Sequence, residues 1–471
     1  MKEPEMHVDM LINGQQVAGD RRMPVLNPAT ELPFATVTTA TKDDVDSAVR
    51  SAQEAFKTWQ NTTIEDRQAR LVKWADALAS HATSLADLLT EEQGKPVAEA
   101  QTEIAWSEGY LRHYATLAPE EHVIQDDDSG FIKLVRKPLG VVAAIVPWNF
   151  PILIAIWKLA PAVLAGNTVV LKTAPTTPLT TLTMGHIITD IFPPGVINII
   201  TDNNDLGAYL TEHPDIAKIG FTGSSATGRK VMSAASKSLK RLTLELGGND
   251  AAIVLPDVNV EETADKIFQS AFLNCGQVCL AIKRVYVHED IYSDVCDALA
   301  KRAKAAVIGD GREDGVQFGP VQNKTQFDKI QTYLDSIKQK GAILAGGQIL
   351  DRAGYFVAPT IVADVNDGDS IVDEEQFGPI LPIISYADTD DAIQQANASD
   401  LGLGASVWSN NVETATDIAS RLEAGSCWVN QHINIGPNIP MAGAKSSGLG
   451  VEQGVEGLNE YTQIQVINVA R

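Results

Sequence analysis

Residues 141–172 read VVAAIVPWNFPILIAIWKLAPAVLAGNTVVLK. Residues 141–157 carry no charge and come close to a membrane span. Pro147, Asn149 and Pro151 interrupt that run and Lys158 closes it, short of the ~20 clean apolar residues that crossing a bilayer takes. The stretch divides better into a strand, GVVAAIVP from 140, a turn between prolines, and a helix, PILIAIWKLAPAVLAGN. A second strand, TVVLKTA, follows. Strands that are apolar at every position, joined by an apolar helix, predict a parallel sheet covered on both faces.

The same alternation continues outward. PLTTLTMGHIITDIF, DLGAYLTEH and SATGRKVMSAASKSL read as helices, and VINIIT, IAKIGFTG, RLTLELGG and DAAIVLP as strands, up to residue 256. Ligands of such a sheet lie at the carboxyl ends of its strands. Residues 43–116 read as helical, with a stop at Gly94 and Pro96. A second α/β pattern spans about 261–430, with strands expected in RVYVHEDIY, YFVAPTIVADV, GPILPIISYAD and ASVWSN. The tail LNEYTQIQVIN alternates like a strand.

A chain of 471 residues exceeds one hydrophobic core and predicts two or three domains. Its 44% apolar and 21% charged residues fit an ordinary globular protein. With 37 basic and 60 acidic side chains, the net charge of −23 repels nucleic acid and anionic membranes, so neither is an expected partner. The start, MKEPEMHVDM, shows no signal peptide. Four cysteines in so long a chain form no disulfide framework. A cytoplasmic, reducing location is expected.

Two of those cysteines, Cys275 and Cys279, sit in FLNCGQVCLA. Two thiols four apart admit metal ligation, a redox pair or a nucleophile with a bystander. No second Cys/His pair stands at zinc spacing, so no metal is expected. Glu245, in LTLELGG, is either a desolvated carboxyl suited to general-base work or a strand-end residue facing water. FTGSSATGRK follows an apolar strand and opens a helix, where main-chain N–H groups meet a pyrophosphate or simply make a connection. Asn149, on the turn after a strand, suits an oxyanion donor or a plain turn residue.

Taken in order, NPATELPFATV, PWNFP, WKLAPAVLAGNTVVLK, FTGSSATGRKV, LELGGNDAAIV, NCGQVC, EEQFGPI, GLGASVWS and GAKSSGLGVEQG resemble the aldehyde dehydrogenase superfamily over nearly the whole chain. The resemblance implies a doubly wound, Rossmann-like cofactor domain from 1–117 and 138–246, and an α/β catalytic domain from 247–445. It also implies a β-arm for oligomerisation from 118–137 and 446–471. A homodimer or homotetramer is implied, with a small aldehyde as substrate.

By the same resemblance Cys279 is the nucleophile, Asn149 and the Cys279 N–H hold the oxyanion, and Glu245 activates the hydrolytic water. Lys158 is the fourth catalytic position, and Cys275 is a small buried neighbour. Val146, Pro147, Trp148, Lys172, Pro175, Gly223, Ser224, Leu246, Glu375 and Phe377 fall at cofactor positions. Phe150, Leu153, Ile154 and Trp157, at i, i+3, i+4 and i+7 of one helix face, line the substrate tunnel with Val278 and Leu280. The tunnel is therefore expected to be apolar.

Pro175 departs from the family pattern. It stands where a carboxylate often binds the adenine ribose, so NAD is the expected cofactor with NADP also accepted. Lys172, Arg229 and Lys230 are the nearby cations that could meet a phosphate. A CoA-acylating relative is disfavoured by Glu245, and one selective for a semialdehyde carboxylate by the lack of an evident basic partner. A catalytically silent member is disfavoured by the presence of Cys279, Glu245 and Asn149 together.

Overall fold

Strand Val141–Ile145 lies inside an eight-stranded sheet in the computed structural model of the chain, which describes residues 6–471. The amino-terminal stretch examined for a signal peptide begins in residues 1–5, outside the described residues. Strand Val141–Ile145 pairs in parallel with Thr168–Lys172 on one side and Ile216–Thr222 on the other. Ile197–Ile200 and Arg241–Glu245 extend the parallel part. Side chains alternate between the two faces. Val142 and Ala144 join the core around helix Pro151–Leu164, and Val141, Ala143 and Ile145 join that of helices Lys42–Trp59 and Ser225–Ser236. Two-sided burial is why Val141–Ile145 is apolar at every position.

Register sets the site. Ile145 stands opposite Lys172 and Phe221, and Thr222 opposite Glu245. The five parallel strands thus end at one level, with Ile200 also opposite Lys172, and the loops after them open on one edge.

A seven-stranded sheet comes from residues 250–429, with strands Asp250–Val254 and Ile282–His288 near its middle. Strands Gly130–Pro138, His122–Asp127 and Thr462–Ala470 form a separate three-stranded antiparallel sheet. Ile464, Val466, Ile467 and Val469 are exposed on its last strand. The arm expected from 446 begins later. Gly448–Leu449 pairs with Arg241–Glu245 in the large sheet, and Gly454–Asn459 is a short helix. Tyr355–Pro359 is not a strand either; extended pairing starts at Thr360. Pro359 has no N–H to give to a ladder.

Helix Pro151–Leu164 is buried along its entire length. Its amino-terminal N–H groups therefore need partners from elsewhere. No side chain of the helix caps it. Glu103, from helix Val97–Tyr114, accepts from the N–H groups of Ile152 (3.1 Å) and Leu153 (3.2 Å). Lys95 Nζ sits 2.6 Å from the other oxygen of Glu103 and donates to the Asn149 carbonyl at 2.9 Å. Both side chains of this pair are fully buried. The pair fixes the turn on which Asn149 rides. Among the described residues no helix is long and apolar enough to cross a membrane.

Candidate active site

The loops after the parallel strands enclose a groove of about 820 Å³, lined by Val146, Pro147, Trp148, Lys172, Pro175, Gly223 and Ser224. Trp148, Gly223 and Ser224 also border a smaller cavity of about 200 Å³ that contains Asn149, Glu245, Leu246, Cys279, Glu375 and Phe377. The two spaces share these walls, so three of the four expected catalytic positions border a cavity beside the expected cofactor positions.

The groove fits a dinucleotide. Ser224 caps helix Ser225–Ser236 by accepting from the Thr227 N–H, and both residues line the groove at a helix amino terminus, where a pyrophosphate is favoured. A Cβ on Gly223 would stand 2.7 Å from the Phe221 ring, and one on Gly247 2.6 Å from Glu375 Oε2. Both positions keep main chain close to the space a ligand would fill. Glu375 Oε1 accepts from the Gly248 N–H at 3.1 Å. Phe377 takes φ +54° and turns its ring edge-on to Trp148 at 5.3 Å. Gln326 Nε2 holds the 376 and 377 carbonyls at 2.7 and 3.0 Å.

Lys172 is not the free cation expected. Its Nζ lies 2.6 Å from Asp202, which is wholly buried. Arg229 is held on Ser446 Oγ at 3.1 Å, and Lys230 lines the groove.

The nucleophile candidate sits after a strained turn. Helix Val260–Phe272 ends, and Asn274, Cys275 and Gly276 then take φ of +50°, +58° and +71°. Side chains other than glycine disfavour this region, so the turn must be held from outside. The Asn274 N–H donates to Glu99 Oε2 (3.1 Å), and its Nδ2 donates to the Asn149 carbonyl (3.0 Å). Asn149 Nδ2 donates back to the Gln277 carbonyl at 2.9 Å. One hydrogen of that amide fixes the turn, and the other is left for the cavity beside Cys279.

Cys279 is half-buried. Burial pushes its thiol well above the ordinary range, the Glu245 charge adds to this, and Lys283 opposes it. Glu245 is 4% exposed. Burial pushes its carboxyl up to about 8; the Glu452 charge adds, and the Cys279 thiol and Lys158 oppose. Neither oxygen of Glu245 has a partner in good hydrogen-bond geometry, so the thiol acts on it by proximity and not through an aligned bond. A buried carboxyl with both oxygens free, facing a thiol, is poised to take a proton.

Lys158 differs from the expectation. Its ammonium is fully buried, forms an ion pair with Glu452 and lines neither cavity. It reaches Glu245 through charge alone. Cys275 is buried in the apolar core of the second sheet, where burial raises its thiol far above the ordinary value. All four cysteines are free.

The apolar stripe is more closed than expected. Phe150, Leu153, Ile154, Trp157, Val278 and Leu280 belong to one core, and none lines either cavity. Ile154 and Leu280, at 2% and 1% exposed, are plain core residues. Ile433 and Ile435 pack against the same core as Cys279. They come from a loop without periodicity, which hid them in the sequence. Lys283, Gln326 and the Lys95–Glu103 pair also went unnoticed. The signal for Lys283 was a lysine set inside the apolar run LAIKRVYV.

The family model for the Aldehyde dehydrogenase family matches residues 15–467. Aldehyde dehydrogenase LUC3 of Fusarium sp is 39% identical over 460 residues, 97% of each chain. Phenylacetaldehyde dehydrogenase of Pseudomonas fluorescens is 38% identical, covering 98% of this chain and 95% of its own. The NAD+ complex structure of aldehyde dehydrogenase from Bacillus cereus superposes with a TM-score of 0.96 at 36% identity, covering 98% of this chain and 96% of that one.

The left-handed turn yields a test. Ala at position 276 would keep φ +71° only with strain, and its Cβ would run into the Gly378 carbonyl. Gly276→Ala should lower unfolding stability by about 1–2 kcal/mol or more and slow alkylation of Cys279. A denaturant midpoint and an alkylation rate both equal to wild type would contradict this account of the turn.

Proposed function

The chain belongs to the aldehyde dehydrogenase family, and from that premise we propose that it oxidises an apolar aldehyde to the carboxylic acid. The cofactor we propose is NAD, with NADP also accepted. The observation that carries the reading is the single cavity shared by Cys279, Asn149 and Glu245 at the end of the groove. The bound nicotinamide would supply the hydride acceptor.

In this reading Cys279 Sγ attacks the aldehyde carbon and its proton passes to Glu245, the nearest base. The free hydrogen of Asn149 Nδ2 and the Cys279 N–H stabilise the developing oxyanion. Loss of hydride leaves the acyl group on sulfur as a thioester. Glu245 gives up that first proton to solvent, then takes one from the water that attacks the thioester; the C–S bond breaks, the acid leaves and Cys279 regains its proton. The Lys158–Glu452 pair lies behind Glu245 and biases its charge. Glu375 and the first turn of helix Ser225–Ser236 would hold the ribose and the pyrophosphate. The exposed apolar strand Thr462–Ala470 supports assembly with further copies of the chain.

Glu245 sets the pH dependence. Its carboxyl is raised, so it is mostly protonated at neutral pH and becomes a base as pH rises through about 8. Turnover should rise between about pH 6 and 8, as the ionised fraction grows from about 1% to about 50%. Glu245→Gln should remove both the slope and most of the rate. A flat wild-type profile across that range would refute the assignment.

Steady-state reduction of each cofactor across a series of straight-chain aldehydes tests substrate and cofactor together. Each buried methylene contributes about 0.8 kcal/mol, a factor of roughly four. KM should therefore fall as the chain lengthens from two carbons. Both cofactors should support turnover, because Pro175 offers no charge to repel a 2′-phosphate. A KM that rises with length, or NADP rejected more than about a thousandfold (roughly 4 kcal/mol), would contradict these proposals.

A further inference from the structure

Lys283 stands four residues after Cys279, near the start of strand Ile282–His288, which is buried in all but its last residue. Its side chain is 2% exposed. The ammonium donates to three main-chain carbonyls of the nucleophile turn: Val278 at 2.8 Å, Cys279 at 2.7 Å and Ala281 at 3.4 Å. Its nearest carboxylate is Glu375 Oε1 at 3.8 Å, beyond hydrogen-bond reach.

Taking an ammonium out of water costs several kcal/mol, and buried lysines are ordinarily matched by a close carboxylate. Three of the buried lysines follow that rule, while Lys218 reaches Glu460 only at 3.8 Å. Lys95 meets Glu103 at 2.6 Å, Lys172 meets Asp202 at 2.6 Å and Lys158 meets Glu452. Lys283 does not. Carbonyl dipoles solvate its charge without cancelling it. The segment that carries the thiol thus holds a cation whose nearest carboxylate, Glu375, pairs with it only at 3.8 Å and without a hydrogen bond.

The other charges facing Cys279 are Glu245 across the cavity and Asp250 from the adjoining strand, and both oppose a thiolate. Glu375 faces Lys283, Lys329 and Asp250. Lys283 is the cation acting on the thiol in its favour.

We propose that Lys283 is a positioning residue for the nucleophile: it clamps the Cys279 carbonyl and supplies the buried positive charge under which the thiol ionises. The clamp fixes the main chain on either side of Sγ, and the charge offsets Glu245 and Asp250. The same ammonium lies next to Glu375, so it joins the thiol turn to the loop that ends in Phe377. The proposal rests on Cys279 as nucleophile. Its test reads thiol ionisation and not turnover, so a failure of either reading shows separately.

The test is alkylation of Cys279 by iodoacetamide in the full chain, followed peptide by peptide by mass spectrometry from about pH 6 up to the highest pH at which circular dichroism shows the fold intact. Neither aldehyde nor cofactor is added. Lys283→Gln keeps a donor and removes the charge; Lys283→Arg keeps the charge. The glutamine variant should move the alkylation midpoint up by about one unit or more, which is about tenfold slower labelling at a fixed pH below it. The arginine variant should keep the wild-type midpoint. A purely structural lysine would change the plateau rate and leave the midpoint in place. A glutamine profile that overlays wild type therefore overturns the proposal. If circular dichroism shows the glutamine variant unfolded, the arginine variant decides: a wild-type midpoint supports the proposal, and a midpoint raised by a unit overturns it.

Discussion

The exchange of hydrogen bonds between the turn at Asn149 and the turn at Asn274–Gln277 is the constraint on which the site depends. Each turn belongs to a different sheet. Asn274 Nδ2 donates to the Asn149 carbonyl, and Asn149 Nδ2 donates to the Gln277 carbonyl. Without the bonds to Asn149 and Glu99 the three consecutive left-handed residues would have little to offset their strain. With them, the amide that would face an oxyanion and the thiol that would attack are fixed relative to one another. Gly276 also lies against the Gly378 carbonyl, where no Cβ fits. The loop through Glu375 and Phe377 is thereby packed against the same turn, and cofactor side and thiol side become one rigid unit.

Charge placement follows the same economy of position. Buried lysines that support the scaffold are matched with acids: Lys95 beside the Asn149 turn, Lys158 behind Glu245 and Lys172 at a strand end. Removing one partner of such a pair is costly because a charge is left buried alone. Glu245 and Lys283 have no such close partner, and both act on the Cys279 thiol. A carboxylate made more basic by burial and a cation near the sulfur both favour moving the proton off the Cys279 thiol.

Much of this was legible in the sequence, for a physical reason. Strands buried on both faces are dominated by apolar residues, so VVAAI and the VVL of TVVLK declared a parallel sheet, and the sheet located the ligand edge. Cys279, Glu245, Asn149 and the groove residues came with short motifs that survive as local structure. What stayed hidden depends on contacts distant in sequence. Lys158 looked catalytic until Glu452, 294 residues away, appeared beside it. Asp202 neutralises Lys172 across two strand ends. The left-handed conformation of Cys275 has no local signal, although Asn274 and Gly276 on either side of it tolerate that region. The apolar stripe at Phe150, Leu153, Ile154 and Trp157 has the spacing of a helix face, and spacing cannot tell a core from a tunnel wall.

The central claim is that Cys279 carries the acyl group and Glu245 releases it. The most direct measurement is intact-mass and peptide mass spectrometry of the Glu245→Gln variant after mixing with an oxidisable aldehyde and NAD. The account predicts a stoichiometric acyl adduct on the peptide holding Cys279, with about one equivalent of NADH formed and little afterwards. No adduct while NADH still forms at the wild-type rate, or an adduct on a residue other than Cys279, would contradict it.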